Sequence, residues 1–427
     1  MSRNRFRSYG ILLFIFCFSV AAFGQQKFVA NLSGLQQVPA NNSAGKGVCR
    51  LTLNQTETQA GIICSYENLS SAATAGSVGV GASIGAVGSS EVGLIIDNGG
   101  QSGNFTMTIN VTPQVAAELR SNRVYFKFHT AIFSGGEIRG QFHVANGTYN
   151  DFDGDGRTDL TVYRNSNNTF YAQSSLTRNL LSQPVGQPGD SVSLTVDFDG
   201  DGKSDFSTAR YTTPPIVWRI FQSSTGVLRE TVFGSSAFND FFAAGDYDGD
   251  GTSDIAVFRA GTWYIIESST GNFRSEFFGQ SGDIPAPNDY DKDGKADLTV
   301  ARGESGTRVW YVRRSSDNQF YRVEWGLTGD AFFTGRTDFD GDGAADILVI
   351  RNESGQRVFY IRRSSDSQLQ IIRWGASSDL PKLGDYDGDG KTDAAVTRTI
   401  DGLKVFLILQ SSNNQPRYEY FGLPNDF

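Results

Sequence analysis

Histidine occurs only twice in 427 residues, at His129 and His143, and the chain has three cysteines and two methionines. Beyond Val144 there is neither histidine nor cysteine, which removes Ser-His and Cys-His nucleophilic pairs from the C-terminal two-thirds and leaves carboxylates as its acid–base groups. Proline is scarce, 11 residues against 49 glycines, and 39% of the chain is hydrophobic, a balance that suits a folded globular protein and excludes a disordered one. After the first 24 residues no segment approaches the roughly 20 apolar residues of a transmembrane helix. Positive charge is in deficit as well: 37 Lys and Arg against 46 Asp and Glu give a net charge of minus 9, which argues against nucleic acid as a partner.

The first residues place Arg3, Arg5 and Arg7 before the apolar run Ile11 to Val20 and end in Ala22-Phe23-Gly24. That is the layout of a cleavable secretory signal over residues 1–24, and it predicts a secreted protein, extracellular, on the cell surface or periplasmic. Loss of those three arginines takes the formal charge from minus 9 to minus 12. Cys17 goes with the leader, so Cys49 and Cys64 remain, and two cysteines in an exported chain predict one disulfide.

What is present in abundance is one repeated aspartate motif. Six copies begin at Asp151, Asp197, Asp246, Asp289, Asp338 and Asp385, spaced by 46, 49, 43, 49 and 47 residues. They read DFDGDGRTD, DFDGDGKSD, DYDGDGTSD, DYDKDGKAD, DFDGDGAAD and DYDGDGKTD. Each is followed by an alternating run such as Ile255 to Arg259, then by segments such as Thr262 to Ile266 and Phe273 to Phe278. Alternation with β-branched and aromatic residues reads as strand. One period thus holds about four short strands, and repeated four-stranded units around an axis make a β-propeller over residues 146–427. The motif count gives six blades, or seven if the chain ends assemble a degenerate one.

Calcium takes six to eight hard oxygen ligands, which alternate carboxylates and a backbone carbonyl supply. The predicted sets are Asp151, Asp153, Asp155, Arg157, Asp159; Asp197, Asp199, Asp201, Lys203, Asp205; Asp246, Asp248, Asp250, Thr252, Asp254; Asp289, Asp291, Asp293, Lys295, Asp297; Asp338, Asp340, Asp342, Ala344, Asp346; and Asp385, Asp387, Asp389, Lys391, Asp393. The seventh position varies freely, as expected where only the carbonyl is used. Gly156 and its equivalents at position 6 let the chain wrap an ion. An EF-hand is excluded, because position 12 is Val162 where a bidentate Glu is required. Metal-free Asx-turns are the competing reading. The expected cofactor is about six calcium ions, one per repeat, fixing blades.

Position 14 is always arginine: Arg164, Arg210, Arg259, Arg302, Arg351 and Arg398. Asp190, Asp240, Asp283, Asp330 and Asp379 precede the last five loops by six to eight residues. Fixed ion pairs within or between blades are the leading reading, with a ring of arginines for an anionic ligand as the alternative. Trp218, Trp263, Trp310, Trp325 and Trp374 read as core ahead of a sugar-stacking platform.

Residues 25–145 lack the motif and form a separate domain, read as an antiparallel β-sandwich from alternation at Val48 to Leu53, Gly61 to Tyr66, Phe105 to Val111 and Val124 to Phe128. A short helix is predicted at Pro113 to Arg120. Cys49 and Cys64 fall in the first two strands, which fits a cross-strand disulfide, and the short junction His143 to Asn150 predicts that the two domains touch.

The aspartate motif with its following strand resembles the FG-GAP or VCBS repeat of integrin-like propellers, from Asp151 to Gly422. That resemblance implies a calcium-stabilised propeller used for adhesion or ligand binding, although integrin propellers have seven blades. The N-terminal region is similar to the CHRD domain first described in chordin, through Phe28-Val29-Ala30-Asn31-Leu32-Ser33-Gly34-Leu35-Gln36-Gln37-Val38-Pro39, His129-Thr130 and Gly136-Glu137-Ile138-Arg139-Gly140. The central His-x-His of many such domains is missing near Ser77 to Ser83, so His129 is read as a structural hydrogen-bonding residue. The combined expectation is an all-β, non-enzymatic extracellular binding or adhesion protein for an unidentified protein or glycan. A lectin-like carbohydrate binder is the alternative, and a carboxylate-based hydrolase or lyase the weakest reading.

Overall fold

Residues of alternating character form strands because every second side chain can enter a core while its neighbours face water. The structure, a computed structural model, describes residues 27–427 apart from 55, 83–84, 97–98, 145–148 and 193–194. The secretory leader and the 145/146 domain boundary lie outside the described residues.

The N-terminal strands are Lys27–Ser33 (β1), Lys46–Leu53 (β2), Gln59–Glu67 (β3), Ala73–Val80 (β4), Ser90–Ile95 (β5), Gly103–Asn110 (β6), Val124–Thr130 (β7), Ile138–Gln141 (β8) and His143–Val144 (β9). The helix Pro113–Arg120 (α1) sits where the sequence places it, with Thr112 Oγ1 accepting from the Val115 N–H at 3.3 Å. Cys49 and Cys64 stand opposite one another on β2 and β3 and form a disulfide.

The sandwich expectation is refined here: the strands make one sheet, in the order β5-β4-β7-β8-β1-β2-β3-β6 with β9 also on β1. It rolls into a nearly closed barrel. The small residues of β4 permit this, since a Cβ on Gly79 would lie 2.0 Å from Tyr125 Cζ and one on Gly76 would lie 2.7 Å from Phe126 Cζ. Phe105 of β6 then packs edge-on to Phe128 of β7, centroids 5.8 Å apart, inside the core.

Six blades follow. In each, the second strand begins at the residue after the last motif aspartate: Leu160, Phe206, Ile255, Leu298, Ile347 and Ala394. Third and outer strands pair antiparallel in sequence order, and a short inner strand such as Ser191–Val192 completes a blade. Blade 1 takes its inner pairing from the C-terminal residue, with reciprocal N–H to carbonyl bonds between Tyr163 and Phe427 of 3.0 and 2.9 Å. The C-terminal residue therefore completes blade 1, and the propeller has six blades.

Trp218, Trp263 and Trp310 are fully buried on third strands, each indole N–H donating to a carbonyl at 2.8 to 3.1 Å. Trp325 and Trp374 are half-buried on outer strands and donate across to Tyr360 O and Leu407 O of the next blade. All five thus serve packing within or between blades.

Candidate metal centres on the loop face

Each aspartate loop is built by its own side chains. In loop 1, Asp151 Oδ1 accepts from Gly154 N at 2.7 Å and Oδ2 accepts from Gly156 N at 2.7 Å. Asp155 Oδ1 accepts from Arg157 N at 2.8 Å, and Asp159 Oδ2 from Phe152 N at 2.8 Å. The Asp159 N–H closes the loop on Asn150 O at 2.8 Å. Gly154 and Gly156 hold φ of 74° and 86°, a region open to glycine at little cost. The other five loops repeat this pattern, as in Gly200 and Gly202 donating to Asp197 at 2.6 and 2.7 Å.

Motif positions 1, 3 and 9 converge. One carboxylate oxygen from each of Asp151, Asp153 and Asp159 lies within 4.8 Å of the others, and the same holds for Asp197, Asp199 and Asp205, for Asp289, Asp291 and Asp297, and for Asp338, Asp340 and Asp346. In loop 3 the converging set is Asp246, Asp248 and Asp250. Position 7 is anchored through its N–H, which donates to the position-5 carboxylate at 2.7 to 2.9 Å for Arg157, Lys203, Thr252, Lys295, Ala344 and Lys391.

The carboxyl groups are unfavourable as bare anions. Burial first, and neighbouring carboxylates second, push Asp155 up to about 6, Asp159 to about 8 and Asp346 to about 8, and push Asp151, Asp246 and Asp289 well above the ordinary range. Asp155 is fully buried, and its Oδ2 accepts no hydrogen bond and has only the Arg157 guanidinium beside it, at 3.9 Å. Converging hard oxygens and suppressed ionisation together fit a bound cation.

A second layer escaped the sequence reading. A Ser-Ser pair in each turn between third and outer strands braces the loop: Ser223 N donates to Asp205 Oδ1 at 2.8 Å, Ser223 Oγ to Asp201 at 3.0 Å and Ser224 Oγ to Asp199 at 2.7 Å. Ser315-Ser316, Ser364-Ser365 and Ser411-Ser412 repeat those bonds. The signal was there as an SS dipeptide 22 to 26 residues after the start of each motif.

The loops also bond to one another. The position-8 N–H donates to the position-1 carbonyl of the preceding loop at 2.6 to 2.7 Å, from Ser204 to Asp151 onward, and Thr158 closes the circle on Asp385. On the opposite ends of the second strands the arginines clamp aspartates: Arg259 to Asp240 at 2.5 and 2.7 Å, Arg302 to Asp283 at 2.6 and 2.8 Å, Arg351 to Asp330 at 2.8 Å twice. Arg164 finds its partner in Asp426, at 2.9 Å twice. The ion-pair reading is the structural one, since these guanidinium groups already hold carboxylates.

In the N-terminal domain, His129 Nδ1 lies 2.8 Å from Ser134 O and Nε2 lies 2.8 Å from Ser77 Oγ, so both ring nitrogens are engaged.

Among solved structures, TolB from Acinetobacter baumannii is similar at 12% identity, covering 86% of this chain and 78% of that one with a TM-score of 0.45. The Dos1 propeller matches at 9% identity, 71% and 79% coverage and a TM-score of 0.35. An auxiliary nutrient binding protein from Bacteroides ovatus matches at 10% identity, 84% and 94% coverage and a TM-score of 0.27. No curated protein matches the chain. The CHRD domain family matches residues 28–142, and the FG-GAP-like repeat family matches residues 338–396. The chain therefore carries a CHRD domain at 28–142, followed by a six-bladed β-propeller that contains an FG-GAP-like repeat at 338–396.

Proposed function

We propose that this chain is a secreted, non-enzymatic binding protein whose propeller holds calcium in its aspartate loops and presents its surface to an extracellular protein or glycan. The observation that carries the calcium reading is the convergence of buried and half-buried carboxylate oxygens to within 4.8 Å in loop after loop. Carboxylate-only donor sets suit a hard cation, and the flexible loop geometry favours calcium over the stricter octahedron of magnesium. The Cys49–Cys64 disulfide supports an oxidising compartment. The absence of histidine and cysteine beyond Val144, with the motif aspartates occupied in holding loops, supports a binding role over a catalytic one.

Calorimetric titration of EDTA-stripped protein with calcium, alongside thermal unfolding, tests this reading. Uptake of about six ions with a rise in melting temperature is expected, because a ligand bound only by the folded state stabilises it. No uptake, and a melting temperature indifferent to EDTA, would leave the aspartates as turn formers.

A further inference from the structure

The CHRD domain meets the propeller on its loop face. Asn31 Nδ2 donates to Asp155 O at 2.5 Å, Arg50 Nη2 to Gly154 O at 2.5 Å, and His143 Nε2 lies 3.2 Å from Gly156 O, all in loop 1. Gln36 Nε2 donates to Gly388 O of loop 6 at 3.1 Å, and Asn122 Nδ2 to Asp338 Oδ2 of loop 5 at 3.3 Å. The backbone of loop 5 also packs onto the end of α1, where a Cβ on Gly343 would lie 2.2 Å from Arg120 O. These contacts use carbonyl and carboxylate oxygens whose positions exist only while the loops keep their wrapped shape.

The seam is buried as well as bonded. Asn31 and Asn122 are each 1% exposed, and their Oδ1 atoms have no hydrogen-bond partner. Their amide N–H groups face Asp155 of loop 1 and Asp338 of loop 5. Burying these amides is costly unless the loops keep in place the oxygens that accept from them.

We propose that cation binding in loops 1, 5 and 6 and docking of the CHRD domain form one linked equilibrium, in which loaded loops seat the domain as a cap and emptied loops release it. The linkage rests on the calcium reading above. Reciprocity requires that whatever docking contributes to ion affinity, ion binding contributes to docking. The ring then divides into sites beneath the cap and sites away from it, which predicts two affinity classes within one chain.

Small-angle scattering of the full chain during calcium titration, with circular dichroism in parallel, tests it. The radius of gyration should fall as calcium fills the loops and rise again on chelation. The Asn31→Ala, Gln36→Ala double variant removes two neutral contacts and leaves the charge at the loops unchanged. It should shift the calcium midpoint of compaction upward by about fivefold or more. Gln36→Ala alone, at a half-buried position, serves if the double variant fails to fold, and should shift the midpoint in the same direction. Uptake of calcium with an unchanged scattering profile, or variants with the parent midpoint, overturns the linkage and leaves the calcium reading intact. Failure to take up any calcium overturns both.

Discussion

Lys292 stands at position 4 of its loop, where the other five loops have glycine. It holds φ of 67°, a left-handed conformation that a lysine adopts at a cost, and its Nζ reaches Asp342 of the next loop at 2.5 Å. Elsewhere the position-7 side chain of one loop lies over the position-4 glycine of the loop before, as Lys295 does over Gly249 and Arg157 over Gly388. Loop 5 follows Lys292 and has Ala344 at position 7, so the two departures compensate. Lys292 acts as a tethered cation against a candidate ligand of loop 5. Lys292→Gly removes that competitor, and the calcium affinity of one site should rise about twofold to fivefold, the worth of a partly exposed ion pair. Calorimetry of variant against parent checks this, and unchanged affinities would refute competition. The compensation is legible in the sequence as a paired departure, Lys in one motif and Ala in the next, although counting carboxylates alone passes over it. The same habit hides the serine pairs, which carry no charge and bind only by hydroxyl and N–H.

At the level of the loop and the strand, the raised carboxyls give calcium binding a pH dependence of definite sign. An aspartate whose folded value is about 6 to 8, against about 3.9 unfolded, holds its proton more tightly in the folded chain. Without ions, these groups therefore favour folding at low pH, and that contribution is lost as pH climbs from about 4 through 8. Calcium needs the ionised form and displaces the protons. The gap between calcium-loaded and calcium-free melting temperatures should widen steadily from pH 6 to pH 8, read by parallel thermal scans at each pH; a constant gap would count against proton-coupled binding. The alternating strands were legible because every second residue is apolar, and α1 because Pro113 follows a threonine cap. Strands β4 and β5 were not, since Gly76, Gly79 and Gly93 erase the alternation. Their small size is also what lets one sheet roll up where two were expected, a consequence of contacts with Tyr125 and Phe126 that local pattern does not contain.

Across the whole molecule the ring is closed twice, by Thr158 on Asp385 at the loop face and by Phe427 on Tyr163 inside blade 1. Five aspartates opposite the arginines were visible as a series preceding each later loop. The sixth, Asp426, follows the last loop and serves the first blade, 262 residues away from Arg164; it keeps the Gly-x-x-x-Asp spacing of Gly279 to Asp283 and Gly375 to Asp379, but a series counted only as preceding each loop passes over it. Asp426 is buried, bonds both arms of Arg164 and accepts from Leu423 N at 2.8 Å; its backbone oxygen takes the Lys404 ammonium. Asp426→Ala therefore strips Arg164 of its carboxylate and loosens the strand that joins the last residues to the first blade. A loss of about 3 kcal/mol is expected from breaking such a pair. The chemically equivalent Asp283→Ala in blade 4 breaks the same kind of clamp without touching the closure. Hydrogen exchange separates the two: Asp426→Ala should speed exchange in the second strand of blade 1, Leu160–Arg164, and in blade 6, whereas Asp283→Ala should speed it around blade 4. If both variants opened the same strands, closure through blade 1 would have no special part in holding the ring.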